Sequence, residues 1–407
     1  MKIKYVIGMA GTGKSTDLIK KLGDMDPELT VVITPTHKAG KILSDKLTDP
    51  LLYELKTIHS LLGWVPGINE SAEDINHVDT TIKLDRDLPD YTNIIVDEFS
   101  MMSEEMLFEL TGKIEDATNF ESDHITLTLY GDPYQLPPVK GVAITTDPTT
   151  TRKLTTQHRA ESPDLVELFT KFVSFLEGNN TEDLSIPYSA NVQQEVDMID
   201  FQLGDRMLAY TNEAVGEYND LLAIKFGLQS YVGQEMQLGS LLETVQVNSK
   251  VRPTIKDLMS LHTAGRLVLQ NNQINKKYLQ QNLQALLNQS EIEFIQDKDG
   301  YIYPVVFGIG RAYRVRNFVK QEAVDSQPGT RERGKAWSRF YALERAYTMD
   351  YTFASTVHKS QGSEFGTVWI DKSNMQKSIF RGNYNIYARL MYVALSRAKK
   401  SVRIING

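Results

Sequence analysis

Gly8-Met9-Ala10-Gly11-Thr12-Gly13-Lys14-Ser15-Thr16 is a glycine loop closed by a lysine and two hydroxyls, and it constrains this chain more than any other stretch. Backbone N–H groups wrap phosphates only where side chains leave room, so glycines recur, while a lysine reaches the outer phosphates and a hydroxyl binds Mg²⁺. Average composition produces such a pattern by chance in about one or two of a hundred chains of this length. Residues 3–7 form a β-prone run feeding the loop, and residues 17–22 carry helical spacing beyond it. That order sets bound phosphates on a helix N-terminus. Gly11, Thr12, Gly13, Lys14, Ser15 and Thr16 are therefore the candidate nucleotide-binding residues, with Ser15 also a candidate metal ligand.

Length and composition exclude several other classes. At 407 residues the chain exceeds a single ordinary core, and two or three domains are expected. Hydrophobic residues make up 41% and charged residues 24%, the balance of a soluble globular protein. No apolar run approaches a membrane span, and residues 5–10 are too short for a signal-peptide core. The absence of cysteine excludes disulfides and thiolate metal sites and fits a cytoplasmic protein. The seven histidines have no cysteine partners and form no evident ligand cluster, so no zinc site is expected. A net charge of −8 conceals an uneven distribution, because residues 301–407 hold 18 Lys and Arg against 7 Asp and Glu. Such a basic quarter is either a polyanion-binding surface or a solvated charged one.

Three β-prone runs, 29–34, 93–96 and 125–130, each end in polar residues: Pro35-Thr36-His37, Asp97-Glu98 and Gly131-Asp132. In open α/β sheets ligands bind beyond the carboxyl ends of parallel strands, where these residues would fall. Residues 64–89 break the alternation, are acidic and turn-rich, and read as an inserted hairpin or a surface loop. A second α/β pattern begins with 207–210 and the helical run 214–225. From about residue 231 the composition shifts: residues 301–307 and Tyr313-Arg314-Val315-Arg316 alternate as short strands do, and Leu279, Leu283, Leu286 and Leu287 have helical spacing. These features suit a small β-rich insertion.

Asp97 and Glu98 complete the nucleotide site in this reading. A buried strand delivers an aspartate to Mg²⁺, followed by a glutamate placed to activate the attacking water. Gln135, in Gly131-Asp132-Pro133-Tyr134-Gln135-Leu136-Pro137-Pro138, is placed to sense the γ-phosphate, although the same segment also reads as a proline-stiffened turn. Trp64, beside Leu61-Leu62, reads as a stacking platform or as core.

Ser355-Thr356-Val357-His358-Lys359-Ser360-Gln361-Gly362-Ser363-Glu364-Phe365 and Met391-Tyr392-Val393-Ala394-Leu395-Ser396-Arg397-Ala398 complete an ordered set of motifs. In order and spacing the set resembles superfamily 1 DNA helicases, most closely the RecD/Dda-like branch. Gly334-Lys335-Ala336-Trp337-Ser338-Arg339-Phe340 is similar to Dda-like phage enzymes and suggests a phage-related origin. The resemblance implies an α/β fold of two RecA-like parallel-sheet domains, with the hairpin inserted in the first and a β-rich, SH3-like barrel in the second. The expected spans are 1–64 with 90–150 for the first domain and 65–89 for the hairpin or pin. The second domain is expected over 151–230 with 352–407, and its insertion over 231–351.

By the same resemblance, Arg159 in Thr156-Gln157-His158-Arg159 and Arg397 reach the γ-phosphate from the second domain, Gly362 approaches the phosphates and Glu364 the ribose. Cations across a cleft make hydrolysis depend on closure. The strand-contacting motifs match Pro35, Thr36, His37, Lys38, Thr57 and His59 in the first domain and Thr356, His358 and Lys359 in the second. Hydroxyls, imidazoles and amides hold a phosphate backbone without reading bases, as a motor on any sequence requires. Only seven residues precede Gly8, so the glutamine segment that recognises adenine in similar helicases is not expected. The base is then gripped elsewhere, or the choice of triphosphate is broad.

The implied function is ATP- and Mg²⁺-dependent 5′-to-3′ translocation on single-stranded DNA with unwinding of duplexes, in phage replication or recombination. Single-stranded DNA and single-strand/duplex junctions are the expected substrates, a single-strand-binding protein or replication proteins the expected partners, and a monomer the expected state, without membrane association. Three other readings share these motifs: a translocase that strips proteins with little unwinding, an RNA helicase of the same superfamily, and a nucleotide-gated DNA clamp. The clamp would lack Glu98 or both arginines, and all three residues are present.

Overall fold

The computed structural model describes residues 1–35, 40, 43–47, 49, 52–62, 91–118, 121–138, 141–158, 163–178, 184–186, 189–194, 196–239, 243–270 and 278–405. Two compact units divide the chain: Met1–Gln193 with Gly362–Glu364 and Ser378–Val402, and Gln194–Gln361 with Phe365–Lys377 and Arg403–Gly407.

Six strands form the sheet of the first unit: β1 (Lys2–Gly8), β2 (Thr30–Thr34), β3 (Glu54–Thr57), β4 (Asn93–Val96), β5 (Thr126–Gly131) and β6 (Thr151–Leu154). Their order is β3-β2-β4-β5-β1-β6 and every pairing is parallel. The central strands are apolar on both faces because both are covered. Val31, Ile33, Ile94, Val96, Leu127 and Leu129 pack with Leu110 and Ile114 of the helix Glu104–Ala117. Val32, Ile95 and Tyr130, one residue out of step, pack with Leu18 and Leu22 of the helix Lys14–Leu22. A period of two thus builds two cores from one strand set. Ser103 caps the helix Glu104–Ala117 by accepting the Met106 N–H at 3.3 Å, and Glu104 and Glu105 complement its N-terminal dipole.

Beyond residue 190, β7 (Val192–Gln194) and β8 (Arg206–Ala209) are followed by five strands that close into a barrel: β9 (Glu235–Leu238), β10 (Glu243–Val251), β11 (Glu293–Asp297), β12 (Ile302–Phe307) and β13 (Tyr347–Asp350). Then come β14 (Ala354–Thr356), β15 (Phe365–Asp371) and β16 (Ala398–Ile405), and within the second unit β8 pairs in parallel with β14 and β15. Within the second unit, Met236, Val247, Ile295, Val305 and Met349 of the barrel share a core with Met207, Leu222 and Trp369. The β-rich insertion thus closes on itself, which leaves its strands without a free edge.

One expected strand is a helix. Tyr313-Arg314-Val315-Arg316 lies inside the helix Ile309–Asp325, whose buried residues Ala312, Val319 and Ala323 recur at helical spacing. Four alternating residues were too few to define a period, and Gly308, at φ 83°, ends β12 and turns the chain into the helix. The expected hairpin, 65–89, lies outside the described residues.

Candidate functional site

Parallel pairing brings the carboxyl ends of β1, β4 and β5 to one edge of the first sheet, and the phosphate loop, Asp97-Glu98 and Asp132–Gln135 follow them directly. Two glycines have specific tasks there. A Cβ on Gly8 would stand 2.3 Å from Thr12 Oγ1 and 2.9 Å from the Leu154 carbonyl, whereas Gly13, at φ 81°, caps the helix Lys14–Leu22 in the left-handed region.

A cavity of about 490 Å³ lies in the first unit over this edge, a volume suited to a nucleotide. Gly11, Gly13, Lys14, Ser15 and Thr16 line it together with Asp97, Glu98, Gln135, Gly362, Glu364 and Arg397. The structure thus gathers eleven of the residues singled out in the sequence. Thr12 is set apart, for it is buried and donates its hydroxyl proton to the Met9 carbonyl at 2.8 Å. Arg159 lies outside the described residues.

The geometry is that of an anion site facing two carboxylates. Lys14 Nζ donates to the Gly8 and Met9 carbonyls at 2.8 and 3.0 Å and stands 4.0 Å from Asp132 Oδ2. Asp97, 8% exposed, accepts the Glu98 N–H at 3.0 Å; burial, then the neighbouring Glu98 charge, push its pKa up to about 7. Glu98 holds a left-handed backbone at φ 54°, uncommon for a residue with a side chain. Among the described residues its Oε2 is buried without a hydrogen-bond partner, an acceptor left for a ligand or water. The Ser15 hydroxyl and the Asp97 carboxylate are hard oxygen donors in the same cavity and fit a Mg²⁺ that takes its remaining ligands from phosphate and water.

The Arg397 guanidinium, 2% exposed, donates to the carbonyls of Val393 at 3.1 Å and Ser363 at 3.3 Å and to Ser396 Oγ at 2.9 Å. These bonds fix its fork at the cavity wall. Glu364, assigned by resemblance to a ribose, is bonded by Lys399 Nζ at 2.9 Å. Lys399 and Lys46 also line the cavity and belong to no motif. Their only sequence signal was a positive charge near a motif. Gln157 and His158 escaped notice as individuals: Gln157 Nε2 donates to the Ala10 carbonyl and the His158 N–H to the Gly11 carbonyl, each at 2.8 Å, and His158 also lines the cavity.

The candidate strand-contacting residues fall in both units. In the first, Pro35 follows β2 and Thr57 is the buried end of β3, while Thr36, His37, Lys38 and Trp64, and the side chain of His59, lie outside the described residues. In the second, Thr356 ends β14 and its hydroxyl accepts the Lys359 N–H at 3.3 Å, capping the turn that presents His358 and Lys359. Burial lowers the pKa of both His358 and Lys359. The basic excess of the last quarter is partly internal: Arg316 donates to the Leu343 and Ala346 carbonyls, and Arg389 to those of Pro133 and Gln135.

Residues 1–141 match the family model of an AAA domain, and residues 351–405 that of a UvrD-like helicase C-terminal domain. An uncharacterised protein of Methanocaldococcus jannaschii is 23% identical over 462 aligned positions, which cover 99% of this chain and 36% of that protein. An uncharacterised protein of Acanthamoeba polyphaga mimivirus is 36% identical over 155 residues, 34% of this chain and 29% of the relative. The chain spans about a third of the length of these curated relatives. The crystal structure of Pif1 helicase from Candida albicans superposes with a TM-score of 0.51 at 18% identity, covering 100% of this chain and 91% of the other. That likeness is one of fold, a mixed α/β arrangement with two RecA-like parallel sheets.

Proposed function

We propose that this chain is an ATP-dependent, 5′-to-3′ single-strand DNA translocase and helicase of superfamily 1, in the RecD/Dda-like branch. The observation that carries the reading is the convergence of Lys14, Ser15, Asp97, Glu98, Gln135 and Arg397 on one cavity, in a chain that matches an AAA-domain model over 1–141 and a UvrD-like helicase C-terminal model over 351–405. The likeness in fold to a Pif1 helicase supports it.

In this reading residues 11–16 bind the phosphates and Lys14 exchanges its carbonyl partners for phosphate oxygens. Ser15 and Asp97 would hold Mg²⁺, which neutralises phosphate charge when bound. The bare Glu98 oxygen accepts the proton of the attacking water, Gln135 contacts the terminal phosphate, and Arg397 with Arg159 offsets the charge that develops on it. Gly362 and Glu364 border the nucleotide. Pro35, Thr36, His37, Lys38, Thr57, His59 and Trp64 grip the strand in the first RecA-like domain, and Thr356, His358 and Lys359 in the second. We assign 1–64 with 90–150 to that first domain, 65–89 to a separating pin, 151–230 with 352–407 to the second domain, and 231–351 to an SH3-like insertion. The branch suggests a phage role in replication or recombination.

Duplexes bearing a 5′ or a 3′ single-stranded tail, in DNA and RNA versions, test the reading directly. ATP-dependent unwinding of the 5′-tailed DNA is the expected result. Unwinding confined to 3′ tails reverses the polarity, unwinding confined to RNA changes the substrate, and hydrolysis without unwinding leaves a translocase.

A further inference from the structure

Tyr392 is fully buried, yet its hydroxyl is bonded on both sides. It accepts the Ala10 N–H at 2.8 Å and donates to Asp132 Oδ2 at 2.5 Å. Ala10 belongs to the phosphate loop, and Asp132, 0% exposed, opens the segment that delivers Gln135. One turn earlier on the same helix, Asn385–Leu395, Arg389 donates to the Pro133 and Gln135 carbonyls, both at 2.7 Å. Tyr134 and Phe169 pack edge-on against the Tyr392 ring, with centroids 6.3 and 6.2 Å away, and hold it in place. Burial and the Asp132 charge push the phenol pKa well above its ordinary value, so the hydroxyl keeps its proton for Asp132.

We propose that Tyr392 is a positioning residue for nucleotide hydrolysis, holding the phosphate loop and the Gln135 segment in fixed register through Ala10 and Asp132. The inference rests on the nucleotide-site reading. Without the hydroxyl, a buried N–H loses its acceptor and a buried carboxylate loses a donor, and the two segments lose the tie that joins them through one side chain. Tyr392 itself does not line the cavity, so its removal acts on alignment in the reaction and leaves nucleotide contacts in place. The expected signature is a fall in kcat with KM for ATP preserved.

The test is steady-state ATP hydrolysis by the full chain on saturating single-stranded DNA. Tyr392→Phe keeps the ring and removes the hydroxyl with both its hydrogen bonds, and is expected to lower kcat about tenfold or more, with KM changed less than about twofold. Asp132→Asn weakens the Tyr392–Asp132 bond from the other side by replacing a charged acceptor with a neutral one, and also removes the charge beside Lys14. The losses in the double variant should be less than multiplicative, because both changes act on the shared Tyr392–Asp132 bond, although each also removes a contact of its own. Wild-type kcat in Tyr392→Phe, a change in KM alone, or multiplicative losses in the double variant would overturn the proposal. Should Tyr392→Phe fail to fold, Asp132→Asn decides, and a wild-type kcat there overturns it. Lys14→Ala runs beside them: normal hydrolysis in that variant brings down the nucleotide-site reading and this inference with it, whereas an inactive Lys14→Ala beside a normal Tyr392→Phe defeats this inference alone.

Discussion

Lys14 Nζ lies 4.0 Å from Asp132 Oδ2 while donating to the carbonyls of Gly8 and Met9, so the loop's cation is held by the loop's own backbone and by the next strand's first carboxylate. A phosphate entering the loop offers Lys14 a charged acceptor in place of neutral carbonyls, and charge-assisted bonds are about twice as strong. Lys14→Ala is therefore expected to abolish DNA-stimulated ATP hydrolysis. Among the described residues, none of the bonds of Lys14 goes to a strand-motif residue, so fluorescence anisotropy should report wild-type affinity for single-stranded DNA without nucleotide. Substantial turnover in this variant would move the triphosphate elsewhere.

Glu98→Gln keeps the shape of the side chain and removes its ability to take a proton. General-base loss of this kind costs about 10² to 10⁴ in rate, which single-turnover hydrolysis on DNA would measure. The same change removes the like charge that raises the pKa of Asp97, so the Asp97 carboxylate is more fully ionised at neutral pH. Binding of Mg²⁺-nucleotide should accordingly be as tight as in the wild type or tighter. Weaker binding together with normal turnover would make Glu98 a structural residue with a strained backbone and no part in the reaction.

The phosphate loop, Asp97-Glu98 and the Asp132–Gln135 segment were legible because each follows a strand that the sequence marks clearly. Val31, Val32 and Ile33, or Ile94, Ile95 and Val96, are runs that only a strand buried on both faces accommodates, so the polar residues after them had to lie at one sheet edge. Tyr313–Arg316 misled because alternation over four residues fits a strand and a helix equally, and only the wider spacing of Ala312, Val319 and Ala323 separates them. Lys46, Lys399 and the bonds of Tyr392 to Ala10 and Asp132 depend on segments remote in sequence coming together. Local periodicity carries no record of such contacts.

Arg397 donates hydrogen bonds to the Val393 carbonyl, the Ser363 carbonyl and Ser396 Oγ, in a geometry that uses the planar fork. Lysine presents one nitrogen and cannot reproduce it. Arg397→Ala should lower DNA-stimulated kcat by about 10³ or more, the scale of a lost arginine finger, and Arg397→Lys should restore little of it. Full rescue by lysine would show that only a positive charge is needed at this position.

Lys359 follows Thr356 and His358 in the second unit, on the turn capped by the Thr356 hydroxyl. As a phosphate contact it would release about 0.7 of a counterion from a single strand. The slope of log affinity against log salt is then expected to shrink by roughly that amount in Lys359→Ala, with no dependence on base sequence. An unchanged slope would remove Lys359 from the strand interface.

His358 gives a pH signature that needs no DNA. Burial lowers its pKa in the folded chain below the ordinary 6.5, and the Tyr210 ring lies beside it with centroids 6.2 Å apart. Below the unfolded-state value of about 6.5 the unfolded chain takes up a proton that the folded chain resists, so stability falls as pH drops from 7 and the loss saturates below the folded pKa. Glutamine at this position does not titrate. Urea-unfolding midpoints at pH 7.5 and 5.5 should therefore fall less in His358→Gln than in the wild type, while the carboxylates common to both proteins cancel in the comparison. Equal falls would mean that the imidazole protonates as readily in the folded chain as in the unfolded one, and His358 would then face a strand as a cation rather than as a neutral hydrogen-bonding group.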